Sequence, residues 1–327
     1  MLELKEPQAP ALDSATTWRA KDLLDTDVLS REEIDLVMET AEAMREVRNR
    51  PNARLGTLRG VTMVTLFYEQ STRTRASFEV AGKALGADVV NLTATGSSVE
   101  KGESLIDTVR TLEAIGADIV VMRHKSSGAP YLAAGHSSAS VINGGDGTHA
   151  HPTQALLDLF TMRQHLGDLD GRKVAIVGDV LHSRVARSNL WALLASGARV
   201  TLCGPATLLP RTLEGGNESG RVELTTNLTE ALAGADVVMT LRMQRERQEK
   251  GLIPSLREYI SGYQVNANRM ALARPGALVM HPGPMNEGVE IAPDIAHGVA
   301  SVIEEQVANG VAVRMAILYL MAMARRG

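Results

Sequence analysis

The sequence predicts an α/β protein: two doubly wound parallel-sheet domains joined by helices, with a C-terminal helix packing back on the first domain. Three observations lead there. Short apolar runs rich in Val and Ile alternate with longer amphipathic stretches, the pattern of strands buried on both faces between covering helices. The alternation restarts after a turn-rich junction, Gly167-Asp168-Leu169-Asp170-Gly171. And 327 residues amount to about two domains at ~150 residues each.

Residues 1–17 have no periodicity and predict a loose arm. Ser30 with Glu33 forms a capping-box pattern that opens a helix through about Asn49. Strands are expected at Val61–Phe67, Asp88–Leu92, Asp118–Arg123 and Ser140–Asn143, then at Lys173–Gly178, Arg199–Cys203, Val222–Thr225, Asp236–Leu241 and Ala277–His281. Helical patterns lie between most of them, among them Thr74–Leu85, Gly102–Ile115, Pro152–Leu166 and Ser183–Ala195. Ser301–Arg326 is helical and mostly apolar, so it needs a surface to dock on. The first domain is therefore placed at 1–150 with the terminal helix 301–327, the second at 151–300, with the hinge near 150–171.

Composition narrows the function. Lys plus Arg is 34 against 38 for Asp plus Glu, a net charge of −4, which argues against a general nucleic-acid binder. Aromatic residues are 3%, too few for base-stacking platforms. The single cysteine, Cys203, rules out an intramolecular disulfide and a Cys-based zinc site. The N-terminus lacks an apolar signal region, and no run approaches the ~18 apolar residues of a membrane span. The expectation is a cytoplasmic protein with no membrane or nucleic-acid partner.

The strongest motif is Ser71-Thr72-Arg73-Thr74-Arg75, which follows an apolar strand and opens a helix. Hydroxyls and an arginine at a helix N-terminus suit a phosphate; capping alone does not need so many polar residues in series. His151-Pro152-Thr153-Gln154 starts the next long helix, with His151 and Gln154 on one face. His149 and His151 raise the thought of a metal, but no Cys or carboxylate stands at ligand spacing, so no metal is expected. Arg123, Arg184 and Arg242 each lie just past a buried strand, where doubly wound sheets bind ligands, and together they favour an anion. Ser97 and Lys101 sit in a polar loop that, taken alone, is most simply solvated. The turn after VAIVGD lacks G-x-G-x-x-G, and no G-x-x-x-x-G-K-[ST] or G-x-S-x-G appears.

Ser71-Thr72-Arg73-Thr74-Arg75, His151-Pro152-Thr153-Gln154 and His281-Pro282-Gly283-Pro284 together resemble the aspartate/ornithine carbamoyltransferase family, in order over nearly the whole chain from about residue 17. Arg242-Met243-Gln244-Arg245-Glu246-Arg247 is similar to the loop of its aspartate branch, while the His-Cys-Leu-Pro motif and Ser-Met-Gly loop of the ornithine branch are absent. Met285-Asn286-Glu287-Gly288 departs from the pattern, with Glu287 where an arginine is common.

The resemblance implies transfer of the carbamoyl group of carbamoyl phosphate to the amine of L-aspartate, without a cofactor. Ser71, Thr72, Arg73 and Thr74 would hold the phosphate; Thr74, Arg123 and His151 would face the carbonyl oxygen; Gln154 would bind the carbamoyl amide. Arg184, Arg242, Gln244, Gly283, Pro284 and Lys101 would receive aspartate. The resemblance further implies a homotrimer with shared active sites, in which Ser97 and Lys101 reach a neighbour and Lys101 joins its catalytic set. It implies that Glu69 bridges to Arg184 and Arg247 when both ligands are bound, and it leaves open a dihydroorotase or regulatory-chain partner. An ornithine-type substrate with a cationic tail would want acids where this loop offers Arg242, Arg245 and Arg247. A non-catalytic scaffolding role is disfavoured by the complete set of site residues.

Overall fold

Every strand forms where an apolar run predicts one, and all pair in parallel. A computed structural model of the chain describes residues 17–50, 54–93, 103–213, 220–244, 252–253 and 255–326. Residues 1–16 of the predicted arm, Ser97, Lys101, Arg245 and Arg247 lie outside the described residues. The chain divides into two compact units, Met1–Phe160 with Val307–Gly327, and Thr161–Gln306.

The first unit holds β1 (Thr62–Phe67), β2 (Asp88–Thr93), β3 (Ile119–His124) and β4 (Ser140–Asp146), in the order β2-β1-β3-β4. Around them run α1 (Arg31–Arg48), α2 (Thr72–Leu85), α3 (Leu105–Ala114) and α4 (Ala129–Ala134). The Ser30–Glu33 capping box opens α1 with both reciprocal bonds made. β1 and β3 are buried almost along their length, whereas β2 at the sheet edge is largely exposed. Val64, Leu66, Val120, Met122 and Val141 form the core under α3 and α4 with Val109, Leu112 and Ala133.

α5 (Pro152–Leu166) carries the chain across the division, which falls after Phe160 inside this helix, within the 150–171 stretch where the hinge is expected. The restart of strand–helix alternation marks where a new sheet begins, not where a continuous helix changes units. The second unit holds β5 (Lys173–Val177), β6 (Arg199–Cys203), β7 (Val222–Thr225), β8 (Val237–Thr240) and β9 (Leu278–Met280), in the order β7-β6-β5-β8-β9. Its helices are α6 (Arg184–Ala195), α7 (Leu228–Leu232), α8 (Leu256–Tyr263), α9 (Ala267–Met270) and α10 (Pro293–Ala296). Ala175, Val177, Val238 and Cys203 build its core with Leu228, Ala231 and Leu232 of α7.

α11 (Ile303–Arg326) returns the chain to the first unit, where Val307–Gly327 belongs. Contrary to the expectation that no run reaches span length, α11 is long and apolar enough to cross a membrane by length and composition, with mean hydropathy 1.6. Yet 67% of that window is buried inside the protein. Its apolarity serves a core.

Candidate active site

In each sheet the strand order reverses once, between β1 and β3 and between β5 and β8. Such switch points, at the carboxyl ends of the strands, are where open α/β sheets bind ligands. The described sequence-predicted residues lie at or after the carboxyl ends of strands: β1, β3 and β4 in the first unit, β5, β8 and β9 in the second.

In the first unit, Ser71 caps α2, its Oγ accepting from the Thr74 N–H at 3.4 Å. Thr74 is buried, while Thr72 and Arg73 face outward on the first turn. The turn is therefore both a cap and a row of polar groups at a positive helix end. Arg123 is the fifth residue of β3, in register with Phe67 at the end of β1. Only 9% exposed, it donates through Nη1 to the Gly144 carbonyl at 3.1 Å and through Nη2 to Glu69 Oε1 at 2.5 Å. Its guanidinium thus joins the ends of β1, β3 and β4. Glu69, for which the resemblance implies Arg184 and Arg247 as partners, pairs here with Arg123.

His151 is buried immediately before α5, its carbonyl accepting from the N–H groups of Gln154 and Ala155. The loop leading to it is fixed by Asp146. One carboxylate oxygen accepts from Asn143 Nδ2 at 2.8 Å and the Ala150 N–H at 3.0 Å; the other accepts from the Gly128 N–H at 2.7 Å. His149 turns to acids instead, with Nδ1 3.2 Å from Asp146 and Nε2 3.8 Å from Asp25. Burial and the neighbouring Asp25, Asp27 and Asp146 carboxylates push the Tyr131 phenol, which lies edge-on to His149, up to about 12. Among the described residues no group of three or more His, Cys, Asp or Glu side chains is placed to hold a metal ion.

In the second unit, β5 is followed by Gly178, whose φ of +133° favours glycine and where a Cβ would come within 3.0 Å of the Leu241 carbonyl oxygen. Ser183 then caps α6, accepting from the Ala186 N–H at 3.1 Å, and Arg184 is buried in the first turn. Arg242 and Gln244 follow β8, both half-buried. After β9, His281 Nδ1 accepts from the Gly283 N–H at 2.8 Å while Nε2 donates to Glu290 Oε1 at 3.2 Å. Glu290 Oε1 also accepts from the Asn286 N–H at 2.6 Å. Gly283, at φ +65°, turns the chain into Pro284. Glu287 pairs at the surface with His297, 3.3 Å away.

Models of the aspartate/ornithine carbamoyltransferase family match both parts of the chain: the carbamoyl-P binding domain at residues 21–164 and the Asp/Orn binding domain at residues 170–321. The chain belongs to the aspartate/ornithine carbamoyltransferase family. It is 62% identical over 310 residues to an aspartate carbamoyltransferase catalytic subunit of Roseiflexus castenholzii, covering 95% of this chain and 98% of the relative. Its fold matches aspartate transcarbamoylase of Trypanosoma cruzi, solved with carbamoyl phosphate and aspartate, at TM-score 0.83 and 32% identity over 92% of this chain and 96% of that one. An ornithine carbamoyltransferase of Pyrococcus furiosus matches at TM-score 0.83 and 31% identity, over 91% and 96% of the two chains.

Four supporting groups lie outside the family motifs. Asp146 and Glu290 gain their meaning only once turns bring them beside the loops they hold. Asp158, four residues after Gln154, and Arg314, a lone cation in the apolar run VAVRMAILYL, do leave a signal in the sequence. The first is an i,i+4 spacing on a helix; the second is a charge that an apolar helix must pair or bury at a cost.

Proposed function

We propose that the chain transfers the carbamoyl group of carbamoyl phosphate to the amine of L-aspartate, giving N-carbamoyl-L-aspartate and phosphate for de novo pyrimidine biosynthesis. The observation that carries this reading is a polar turn at the N-terminus of α2 beside a buried guanidinium at the end of β3, in a chain 62% identical to a catalytic subunit of this activity.

In this reading the first unit takes carbamoyl phosphate. Ser71, Thr72, Arg73 and Thr74 hold the phosphate oxygens with helix-end N–H groups and a guanidinium fork. Arg123, Thr74 and His151 face the carbonyl oxygen, where negative charge grows as the amine attacks. Gln154 binds the carbamoyl amide. The second unit takes aspartate, with Arg184, Arg242 and Gln244 recognising its two carboxylates and the loop at Gly283 and Pro284 placing its amine. The nitrogen lone pair forms a bond to the carbonyl carbon, the tetrahedral intermediate collapses, the C–O bond breaks, and phosphate leaves carrying the proton that the nitrogen gives up. Catalysis is positioning and electrostatics.

The active form is a cytoplasmic homotrimer in which Ser97 and Lys101 complete a neighbour's site; a regulatory or dihydroorotase-type partner fits a chain so similar to a catalytic subunit. An assay for ureido product with aspartate or ornithine as acceptor tests the reading. Product with aspartate alone supports it; product with ornithine alone, or with neither, overturns it.

A further inference from the structure

Gln154 Nε2 donates to Asp158 Oδ1 at 2.9 Å, one helical turn along α5. A glutamine amide has one donating and one accepting end, and a carboxylate only accepts. An NH2 group taken by Asp158 therefore leaves the Gln154 carbonyl oxygen pointing the other way. Asp158 is fully buried and interacts electrostatically with the Arg314 guanidinium. Arg314 is buried on α11. Its Nη1 donates to the Gly310 carbonyl at 3.0 Å, and its Cζ lies 5.1 Å from the centre of the Phe78 ring on α2. A Cβ at position 310 would come within 2.6 Å of Nη1, so glycine there provides the room the guanidinium fills. One buried cation thus lies over the helix that presents Ser71–Thr74 and interacts electrostatically with the acid that holds Gln154. A guanidinium beside a buried carboxyl group favours its charged form, and neither charge is tolerable there alone.

We propose that Asp158, kept a carboxylate by Arg314, is a positioning residue that fixes the Gln154 amide with its carbonyl oxygen toward the substrate, and thereby selects a carbamoyl over an acetyl group on the phosphate. The inference rests on the reading that Gln154 binds the carbamoyl amide. A carbamoyl NH2 donates to that oxygen; an acetyl methyl leaves it unpaired, and a site built around a hydrogen bond rejects the analogue that cannot make it. With a neutral amide at 158, donor and acceptor are both available and either orientation of Gln154 is satisfied.

The test compares inhibition by phosphonoacetamide and acetonylphosphonate, which differ only in NH2 against CH3. The wild-type chain should prefer the amide. Asp158→Asn should lower that preference about tenfold by weakening the amide compound alone, the loss of roughly one hydrogen bond. Arg314→Met should do the same and Arg314→Lys, which keeps a charge beside Asp158, should retain the preference; this pair gives the readout if Asp158→Asn does not fold. A purely structural role would weaken both compounds alike and leave the ratio unmoved. If Gln154→Ala lowers the ratio while Asp158→Asn and Arg314→Met leave it at the wild-type value, the positioning role is overturned and the carbamoyl reading of Gln154 stands. If Gln154→Ala itself leaves the ratio unchanged, the reading of Gln154 fails and the inference with it.

Discussion

Arg123 Nη2 lies 2.5 Å from Glu69 Oε1, an ion pair that ties the end of β3 to the chain just past β1. The pair is mostly shielded from water, with side-chain exposures of 11% and 25%, and Arg123 is also anchored on the Gly144 carbonyl. A guanidinium held from two sides is preorganised for charge that develops in front of it. Arg123→Ala should lower kcat about 10²–10³-fold, the usual loss for one such donor. Glu69→Gln, which still accepts but loses its charge, should cost about tenfold. Because Glu69 acts through Arg123, the double variant should be no slower than Arg123→Ala. Steady-state kinetics of the three variants checks this; additive losses would show that Glu69 has a separate role.

Arg242 follows β8 at the switch point of the second sheet. If Arg242 receives a carboxylate of aspartate, it should be needed for the second substrate only. Arg242→Ala should raise the aspartate KM by about ten- to a hundredfold, the worth of a charge-assisted hydrogen bond. Carbamoyl phosphate affinity, measured by calorimetry, should change by less than about twofold on the same argument. A variant that loses carbamoyl phosphate would move Arg242 to the other substrate.

Burial on β6 pushes the Cys203 thiol up to about 12. The folded state therefore holds its proton more tightly than the unfolded chain, which ionises near 9. The stability this contributes is complete below pH 9 and is lost as the pH climbs from there through about 12. Between pH 7 and pH 10 the loss is about 1.4 kcal/mol. Cys203→Ala, which creates a small cavity but has no thiol to ionise, should start less stable and fall less over that interval. Urea unfolding at the two pH values measures the difference; parallel losses in both chains would show that Cys203 does not titrate in this window.

The fold was legible because the central parallel strands are short apolar runs bounded by polar turns, as in Val120–Met122 or Ala175–Val177, and α1, α2 and α6 each begin at a serine cap, Ser30, Ser71 and Ser183. Arg123 and Arg242 stood out for a related reason, as charges where an apolar strand ends, and Thr74 as part of the polar run that opens α2. What holds them was not. Glu290 is nine residues from His281 and reaches it across the turn containing Gly283, and Asp146 meets Gly128 only through the pairing of β3 with β4. Such partners depend on loop paths, which apolar periodicity does not encode. The small helices α7, α9 and α10 are four or five residues long, too short for a helical period to show.

The shared site is tested by mixing two inactive chains. Arg73 faces outward on the first turn of α2, and Lys101 lies in the polar stretch GSSVEKGES, where a lysine brings a point charge on a flexible stem. If Lys101 completes a neighbour's site, Arg73→Ala and Lys101→Ala carry defects in different halves of a composite centre. Each pure oligomer should be nearly inactive. Unfolded and reassembled together, they should form interfaces in which both defects fall on one site and leave another wholly wild-type, restoring a substantial fraction of activity. A mixture as inactive as its parents, with mixed oligomers demonstrated, would place Lys101 in its own chain's site.

The His281–Glu290 pair tests how the loop proposed to place aspartate is held. Both side chains are buried, and Glu290 Oε1 accepts from His281 and from the Asn286 N–H, so one carboxylate oxygen closes the loop that contains Gly283 and Pro284. Accepting from the Gly283 N–H leaves Nδ1 unprotonated and puts the ring proton on Nε2. Glu290→Ala strips both donors of their acceptor in a buried place, which costs about 2–3 kcal/mol, and the loosened turn should raise the aspartate KM more than it lowers kcat. Glu290→Gln keeps an acceptor oxygen in the same position and should recover most of the stability. Urea unfolding read beside aspartate kinetics decides the matter. A Glu290→Ala chain as stable as wild type would show that the turn is held by its backbone alone. Lost stability with an unchanged aspartate KM would remove the loop from substrate binding.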